Sequence, residues 1–325
     1  MANRLLRILE EHQGRYVSGE EIGQGAGVSR AAVWKQIRAL RRRGFAIEGA
    51  RGAGYRLLGR PDVIEEADVL FRLSTRSFWK SFTFFPVTDS TNSRAAEAAE
   101  RGAPHGTIVC ADAQTGGRGR FDRRWESPPG VNLYLSLLLR PPIDPQPAPQ
   151  LTLVTAVALA MAVEEAADVS AQLKWPNDLY LAGKKAAGIL AEMSADSDRL
   201  RHVVIGVGLN VNADASHFPG KLLHTATSLR LATGRTFPRA DVLARFLDRF
   251  AETYRDFLSA GFAPLRSEWN RRSLLNGKRV KVGFREGEAW GTAAGVDEAG
   301  MLLFRRDGAL EEERLHSGEI VGFER

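Results

Sequence analysis

The sequence holds a single cysteine, Cys110, in 325 residues. A lone thiol cannot close an intrachain disulfide. The six histidines, His12, His105, His202, His217, His224 and His316, fall into no ligand spacing such as HExxH. Disulfide scaffolds and structural zinc are therefore poor readings. Long apolar runs are also missing. The longest, Leu151 to Val163, is broken by Thr152 and Thr155 and falls short of the ~20 residues of a membrane span. Arg4 and Arg7 are followed by no apolar h-region and no small-residue cleavage site, so no secretory signal is visible. A cytoplasmic protein without a membrane partner is expected. No GxxxxGK[ST] phosphate loop occurs, and Gly206-Val207-Gly208 lacks the third glycine of a dinucleotide fingerprint.

What is present is a chain with 26% charged and 44% hydrophobic residues, long enough for two or three domains. Its net charge of +6 is unevenly placed. Residues 1–60 carry 12 Lys+Arg against 5 Asp+Glu, or +7, which leaves 33 against 34, or −1, for the remainder. A basic segment on a nearly neutral body suits a phosphate-binding appendage, although a solvated surface gives the same arithmetic.

Pattern separates these readings. Leu5, Ile8 and Leu9 lie at helical spacing, and Ser18-Gly19-Glu20-Glu21 reads as a capping box opening a second helix. Ser29 can cap a third, running to Arg43, with Val33, Ile37 and Leu40 on one stripe and Arg30, Lys35, Arg38 and Arg42 mostly off it. Phe45 to Glu48 and Tyr55 to Leu58 read as strands around a glycine-rich tip carrying Arg51. This is the order of a winged helix-turn-helix over residues 1–62. It would place Ser29, Arg30, Trp34 and Lys35 near bases or phosphates of operator DNA and Arg51 in an adjacent groove. The alternatives are that such a small helical domain is a protein-binding module and that Trp34 is simply a core residue. Dimerisation accompanies the DNA reading, because two-fold proteins read two-fold operators.

From about residue 80 strand and helix signals alternate. Phe82 to Val87, Thr107 to Ala111, Val131 to Leu139, with Leu133, Leu135 and Leu137 alternating against Asn132, Tyr134 and Ser136, then Gln172 to Trp175, Leu179 to Leu181, Ala186 to Glu192 and His202 to Asn212 are strand candidates. Thr91 to Arg101, Leu151 to Val169 and the stripe Val242, Phe246, Phe250, Tyr254 and Phe257 are helical. A mixed α+β sheet domain over residues 63–269 is expected. Residues 270–325 hold four further short strands with glycine turns, which suits a small SH3-like barrel.

Two clusters carry unusual chemistry. Gln114-Thr115-Gly116-Gly117-Arg118-Gly119-Arg120-Phe121-Asp122-Arg123-Arg124-Trp125 combines glycines that allow close backbone approach with four arginines. Crowded like charge makes such a loop costly to keep open, so a lid that orders around an anion is expected. The second cluster is Lys174-Trp175-Pro176-Asn177-Asp178 with Lys185 before Ala-Ala-Gly-Ile-Leu. Lys185 could aim an ammonium at a carboxylate or phosphate, and Asn177 and Asp178 offer hard oxygens of the kind that hold Mg²⁺ with nucleotide phosphates, or simply form a turn.

With Asp89-Ser90-Thr91-Asn92, Trp125-Glu126-Ser127-Pro128 and Gly206-Val207-Gly208-Leu209-Asn210-Val211-Asn212 added, the sequence resembles the bifunctional biotin protein ligases that also repress biotin synthesis genes. The resemblance covers nearly the whole chain. It implies a class II synthetase-like biotin/lipoate ligase domain that forms biotinyl-AMP from biotin and MgATP. Biotin then passes to a lysine of a biotin carboxyl carrier domain, and the adenylate-bound homodimer acts as repressor. It further implies that Ser90, Thr91, Asn92 and Gln114 hold biotin, with Gly117 and Gly188 against the ligand. Arg118, Arg120 and Lys185 would flank its carboxylate, with Arg118 and Lys185 catalytic. Arg118, Arg120, Arg123, Trp125, Lys174, Asn177, Lys185 and Asn210 would serve the nucleotide, and Asp178 the metal. One departure stands out. The family's Arg-Arg-Gly-Arg late in the loop is Arg120-Phe121-Asp122-Arg123 here, which predicts retained ligation with altered retention of the adenylate. A ligand-sensing repressor with weak ligation, a ligase with a non-functional DNA arm, and a ligase for lipoate remain the competing readings.

Overall fold

Caps and turns set the N-terminal part of the chain. The structure, a computed structural model, describes residues 2–12, 14–42, 45–59, 62–196, 199–284 and 287–324. It divides into two units, Met1–Val63 and Ile64–Arg325. In the first, α1 (Ala2–Glu11), α2 (Gly19–Ala26) and α3 (Arg30–Arg42) precede a hairpin of β1 (Ala46–Ala50) and β2 (Gly54–Gly59). Ser18 Oγ accepts the Glu21 amide at 3.1 Å, while the Glu21 carboxylate turns to His12, 3.8 Å away, instead of closing the capping box. Gly27 ends α2 at φ 68, a left-handed conformation that glycine adopts without steric penalty. The Ala32 amide then donates to Ser29 Oγ at 3.3 Å to open α3. Leu5, Leu9, Ile22, Val33, Ile37 and Leu40 bury a common core with Ile47 and Leu57 of the hairpin. Helix, helix, turn, helix and wing are thus all present; the expected last helical residue, Arg43, lies outside the described residues.

The second unit is built on a seven-stranded sheet. After α4 (Glu66–Arg72) come β3 (Ser81–Thr88), α5 (Thr91–Glu100), β4 (Thr107–Gln114), β5 (Leu133–Leu139) and α6 (Gln150–Ala167). β6 (Gln172–Lys174), β7 (Asp178–Leu181), β8 (Lys184–Ala195) and β9 (Leu200–Leu209) complete it in the order β3-β4-β5-β9-β8-β7-β6. Only β3 and β4 run parallel within it. The helices α7 (Leu222–Thr225), α8 (Leu229–Thr233), α9 (Arg239–Ala260) and α10 (Ala263–Arg272) follow. Alternation along β5 decides which side is which. Leu133, Leu135 and Leu137 join the core with α6 and α9, whereas Leu138 joins Val109, Val204 and the alanines Ala95 and Ala99 of α5. Both faces of β5 are therefore covered. α6 has the length and apolar character to cross a bilayer, but most of it is buried in this core against α9.

The C-terminal strands β10 (Arg279–Phe284), β11 (Gly287–Val296), β12 (Leu302–Arg306), β13 (Glu313–Leu315) and β14 (Glu319–Phe323) form an antiparallel sheet in the order β13-β12-β11-β10-β14. β13, too short to show a period, adds a fifth strand to the four expected. This sheet shares the core of the second unit. Trp175 Nε1 donates to the Gly300 carbonyl at 3.2 Å, and Gly300 abuts Leu153 of α6 so closely that a Cβ would stand 2.3 Å from it.

His105 packs its ring on Phe78 and Tyr254, and its Nδ1 accepts the Arg140 amide at 3.0 Å. Burial pushes its pKa below the ordinary value, and that of His202 likewise. The unfolded chain, with a histidine pKa near 6.5, therefore binds more protons in the window below it. This contribution to stability is complete above about pH 6.5 and is lost as pH falls through the folded value. Urea denaturation at about pH 7.5 and 5.5 should show a smaller acid-induced loss for His105→Gln than for the native chain, with the residue from His202 remaining. Equal losses would contradict a half-buried, neutral His105.

Candidate active site

On the face of the sheet that carries α5, β8 and β9 are bare where glycines fall. Register pairs Ser136 with Gly206 and Tyr134 with Gly208, and Gly208 in turn with Gly188. A Cβ at Gly206 would stand 2.2 Å from Asn92 Oδ1, and one at Gly208 2.5 Å from Trp125 Nε1. Without those atoms α5 drops onto backbone. Asn92 Nδ2 donates to Glu192 Oε2 at 2.6 Å and to the Leu190 carbonyl at 3.3 Å. Ser136 Oγ lies 2.6 Å from Asn92 Oδ1 and 2.8 Å from Thr91 Oγ1. The Thr91 amide donates to Gln114 Oε1 at 2.8 Å, which leaves Gln114 Nε2 to donate to Ser127 Oγ at 3.0 Å. Ser90 opens α5 with no side-chain cap bond, so its hydroxyl stays on the cavity wall. Its amide goes to Asp89 Oδ1 at 2.7 Å. The Arg94 guanidinium, with that amide, holds the Asp89 carboxyl well below the usual carboxylate range.

Gln114 leads into the Gly-Arg loop, which is a hairpin. The Gly119 amide donates to the Arg123 carbonyl at 2.6 Å and the Trp125 amide to the Gly117 carbonyl at 2.9 Å. Its crowded charge is met inside the protein. Arg118 lies 3.4 Å from Glu192 Oε1, Arg120 donates to the Gly318 carbonyl at 3.3 Å, and Arg124 reaches Glu126 at 3.3 Å. Arg123 grips Glu319 with both terminal nitrogens, one at 2.9 Å. The expected cost of the open loop is offset in part by Glu192 and Glu319, distant in sequence, with Glu126 and a backbone carbonyl meeting the other two arginines. Phe121, exposed, sits at φ 57 with the Arg120 guanidinium 5.0 Å over its ring.

The Trp125 ring lies on the Gly188 and Gly208 backbone, with Lys185 Nζ 5.5 Å from its centroid. Trp125 Nε1 is buried without a hydrogen-bond partner. Lys185 Nζ stands 2.6 Å from Asp178 Oδ1, an ion pair too poorly aligned to be a hydrogen bond, so that this oxygen too has none. Lys174 Nζ donates to the Ile320 carbonyl at 2.9 Å, and burial pulls its pKa down.

A cavity of about 350 Å³ is lined by Ser90, Thr91, Asn92, Gln114, Arg118, Arg120, Arg123, Trp125, Lys174, Asn177, Asp178, Lys185, Gly188 and Asn210. The sequence clusters are thus gathered in one place, with three qualifications. Gly117 does not reach the wall; it is tucked under the loop, where a Cβ would stand 2.6 Å from the Trp125 carbonyl oxygen. Asn177 donates its amide to the Ile189 carbonyl at 2.8 Å, and Asn210 its own to the Thr227 carbonyl at 3.0 Å, so both side chains also hold the frame. Ser136, Glu192 and Glu319 were not singled out by the motifs. Only the alternation along β5 hinted at Ser136, and no local signal marks the two glutamates.

In the first unit Ser29, Arg30, Trp34 and Lys35 are exposed along α3 and Arg51 is exposed at the hairpin tip. Trp34 is 53% exposed, which removes the core alternative.

Residues 84–210 match the biotin/lipoate A/B protein ligase family, and residues 2–56 match an HTH domain. A bifunctional ligase/repressor BirA of Bacillus subtilis is 40% identical over 97% of this chain and 97% of its own length. The chain belongs to the bifunctional biotin protein ligases. A biotin–[acetyl-CoA-carboxylase] ligase of Paracoccus denitrificans is 35% identical over 67% of this chain and 91% of its own. A biotin protein ligase from Aquifex aeolicus, solved with biotin and ATP, is 32% identical with a TM-score of 0.65, covering 76% of this chain and 100% of that one.

For this ligase, Gly206→Ala must push Asn92 off the strip, and displacement by about 1 Å can lower rate up to about 100-fold. Steady-state transfer assays should show the KM for biotin raised about tenfold or more with a smaller change for ATP. An unchanged biotin KM would mean that Asn92 does not hold biotin.

Proposed function

We infer that this chain is an ATP-dependent biotin protein ligase that also represses biotin synthesis genes as a biotinyl-AMP-bound homodimer. The observation that carries the ligase reading is the joining, in one cavity, of the Asn92–Thr91–Gln114 cradle with Arg118 and Lys185. In the first step a biotin carboxylate oxygen attacks the α-phosphorus of ATP, forming biotinyl-AMP and releasing pyrophosphate. Two anions must meet, so fixed cations at Arg118 and Lys185 lower the barrier by offsetting the repulsion and the charge gathering on the α-phosphate. Arg120, Arg123 and Lys174 add to this field toward the polyphosphate. In the second step the neutral amine of a carrier-domain lysine attacks the biotinyl carbonyl; AMP leaves and the amine proton is lost.

Residue roles follow from position. Ser90, Thr91, Asn92 and Gln114 present alternating donors and acceptors suited to the ureido ring, and the Gly188 backbone leaves room beside it. Trp125, with Nε1 unpartnered, supplies a flat wall for adenine, and Asn210 sits next to the nucleotide end. Asp178 fits a magnesium ion: its Oδ1 is buried without a hydrogen bond, and one carboxylate with substrate phosphates is a common Mg²⁺ set. The ion supplies neutralisation of the polyphosphate charge when bound. Lys185 must then leave Asp178, which frees its ammonium for the carboxylate and phosphate.

The acceptor is a biotin carboxyl carrier domain of an acetyl-CoA carboxylase or related enzyme, in the cytoplasm. Repression follows if the adenylate is held long enough to favour the dimer that binds operator DNA, a population shift that requires tighter binding to the dimer-competent state. An acceptor carrier domain incubated with biotin, MgATP and enzyme should gain one biotinyl group by mass spectrometry. Arg118→Ala and Lys185→Ala should each slow this about 100-fold or more while the fold, followed by circular dichroism, is kept. Transfer at native rates by both variants would overturn the assignment.

A further inference from the structure

The exposed face of α3 carries a feature that neither the ligase chemistry nor the charge balance uses. Trp34 and Arg38, one helical turn apart, are paired, with the Arg38 guanidinium carbon 4.8 Å from the centroid of the indole. Both lie off the stripe of Val33, Ile37 and Leu40 that packs into the core. Neighbouring arginines are used differently: Arg41 donates to the Ile47 carbonyl at 2.9 Å, and Arg56 pairs with Glu48. Among the described residues Arg38 has no carboxylate partner; an aromatic face holds it instead.

Stacking has a chemical consequence. A guanidinium is planar, with its N–H groups fanned out in the plane, so a ring against it restricts its rotamers while its edge N–H groups keep their capacity to donate. A lysine could not be fixed in this way, because its ammonium has no plane. The fork matches a pair of acceptors side by side. In the major groove that pair is guanine O6 and N7, the acceptors that arginine most often takes there. Arg30, Trp34 and Arg38 follow one another at intervals of four residues, so Arg30 and Arg38 are about 12 Å apart along the helix.

We propose that Arg38, held in plane by Trp34, reads a guanine in the operator and is a specificity-determining residue of this repressor. The proposal rests on the repressor reading given above and deepens it. Arg30, Lys35 and Arg51 then supply phosphate contacts and affinity, while the Trp34–Arg38 pair supplies discrimination.

The test uses the full chain with biotin and MgATP. Selection from random-sequence duplexes gives the preferred site of the native protein. Affinity for that site and for random-sequence DNA is then measured for native protein, Arg38→Lys, Arg38→Ala and Trp34→Ala, with biotin transfer as the check on folding. Arg38→Lys should bind random DNA as the native protein does, yet lose about 10- to 100-fold in the ratio of selected to random affinity. Reselection with this variant should lose one guanine. Trp34→Ala should lose a smaller part of the same ratio, with biotin transfer unchanged in every variant. Native selectivity in Arg38→Lys, or equal loss on both DNAs in Arg38→Ala, would overturn the proposal and make Arg38 a phosphate contact. A native protein that selects no sequence overturns the repressor reading, and this assignment with it.

Discussion

The site depends on the absence of three Cβ atoms. Gly188, Gly206 and Gly208 leave a strip of uncovered backbone on β8 and β9, at the centre of the sheet. Asn92 and Trp125, to which we assign ligand contacts, are seated by that strip. Asn92 can reach Glu192 and Leu190 only because Gly206 has no side chain, and Trp125 can lie flat only over Gly188 and Gly208. Glycine weakens a strand when it has no such purpose. Here the loss is carried by a sheet whose other face is packed against α6 and α9, with Ile205, Val207 and Leu209 of the same strand buried.

Charge is the second constraint, and it is balanced locally. Four arginines on one loop would repel one another in the open, yet Glu192, Glu319, Glu126 and the Gly318 carbonyl answer them one by one. Two of these answers, Gly318 and Glu319, come from the entry to β14 and its first residue, which ties the C-terminal sheet to the loop. Lys174 joins them at Ile320. In the proposed reading biotin and ATP enter a place already arranged for negative charge, and binding would exchange protein carboxylates for substrate anions. Such an exchange keeps fixed cations in place at the reacting atoms without leaving them unpaired before the substrates arrive.

Much of this was legible in the sequence because its signals are local. Ser29, Gly27 and the Val33, Ile37 and Leu40 stripe define α3 within fifteen residues or so, and the alternation along β5 assigned the right residues to each face. The Gly-Arg loop and the Lys174 to Asp178 segment were read as chemical clusters for the same reason. What stayed hidden is nonlocal. Glu192 and Glu319 are ordinary glutamates until β8 and β14 bring them to the loop. Gly206-Val207-Gly208 fails as a nucleotide fingerprint, and its use as a bare floor appears only when the register with Ser136 and Gly188 is known. Asn177 and Asn210 looked like ligand contacts by motif; their amides turn out to hold backbone as well.

Nucleotide affinity in Gly208→Ala, by isothermal titration with ATP, tests the bare-strip account most directly. The new Cβ would meet the Trp125 indole at 2.5 Å, so the ring must lift from the floor. The account predicts that ATP binds about tenfold or more weakly, while biotin, which we assign to Asn92 and Gln114, binds close to native affinity. Native ATP affinity in this variant would contradict it.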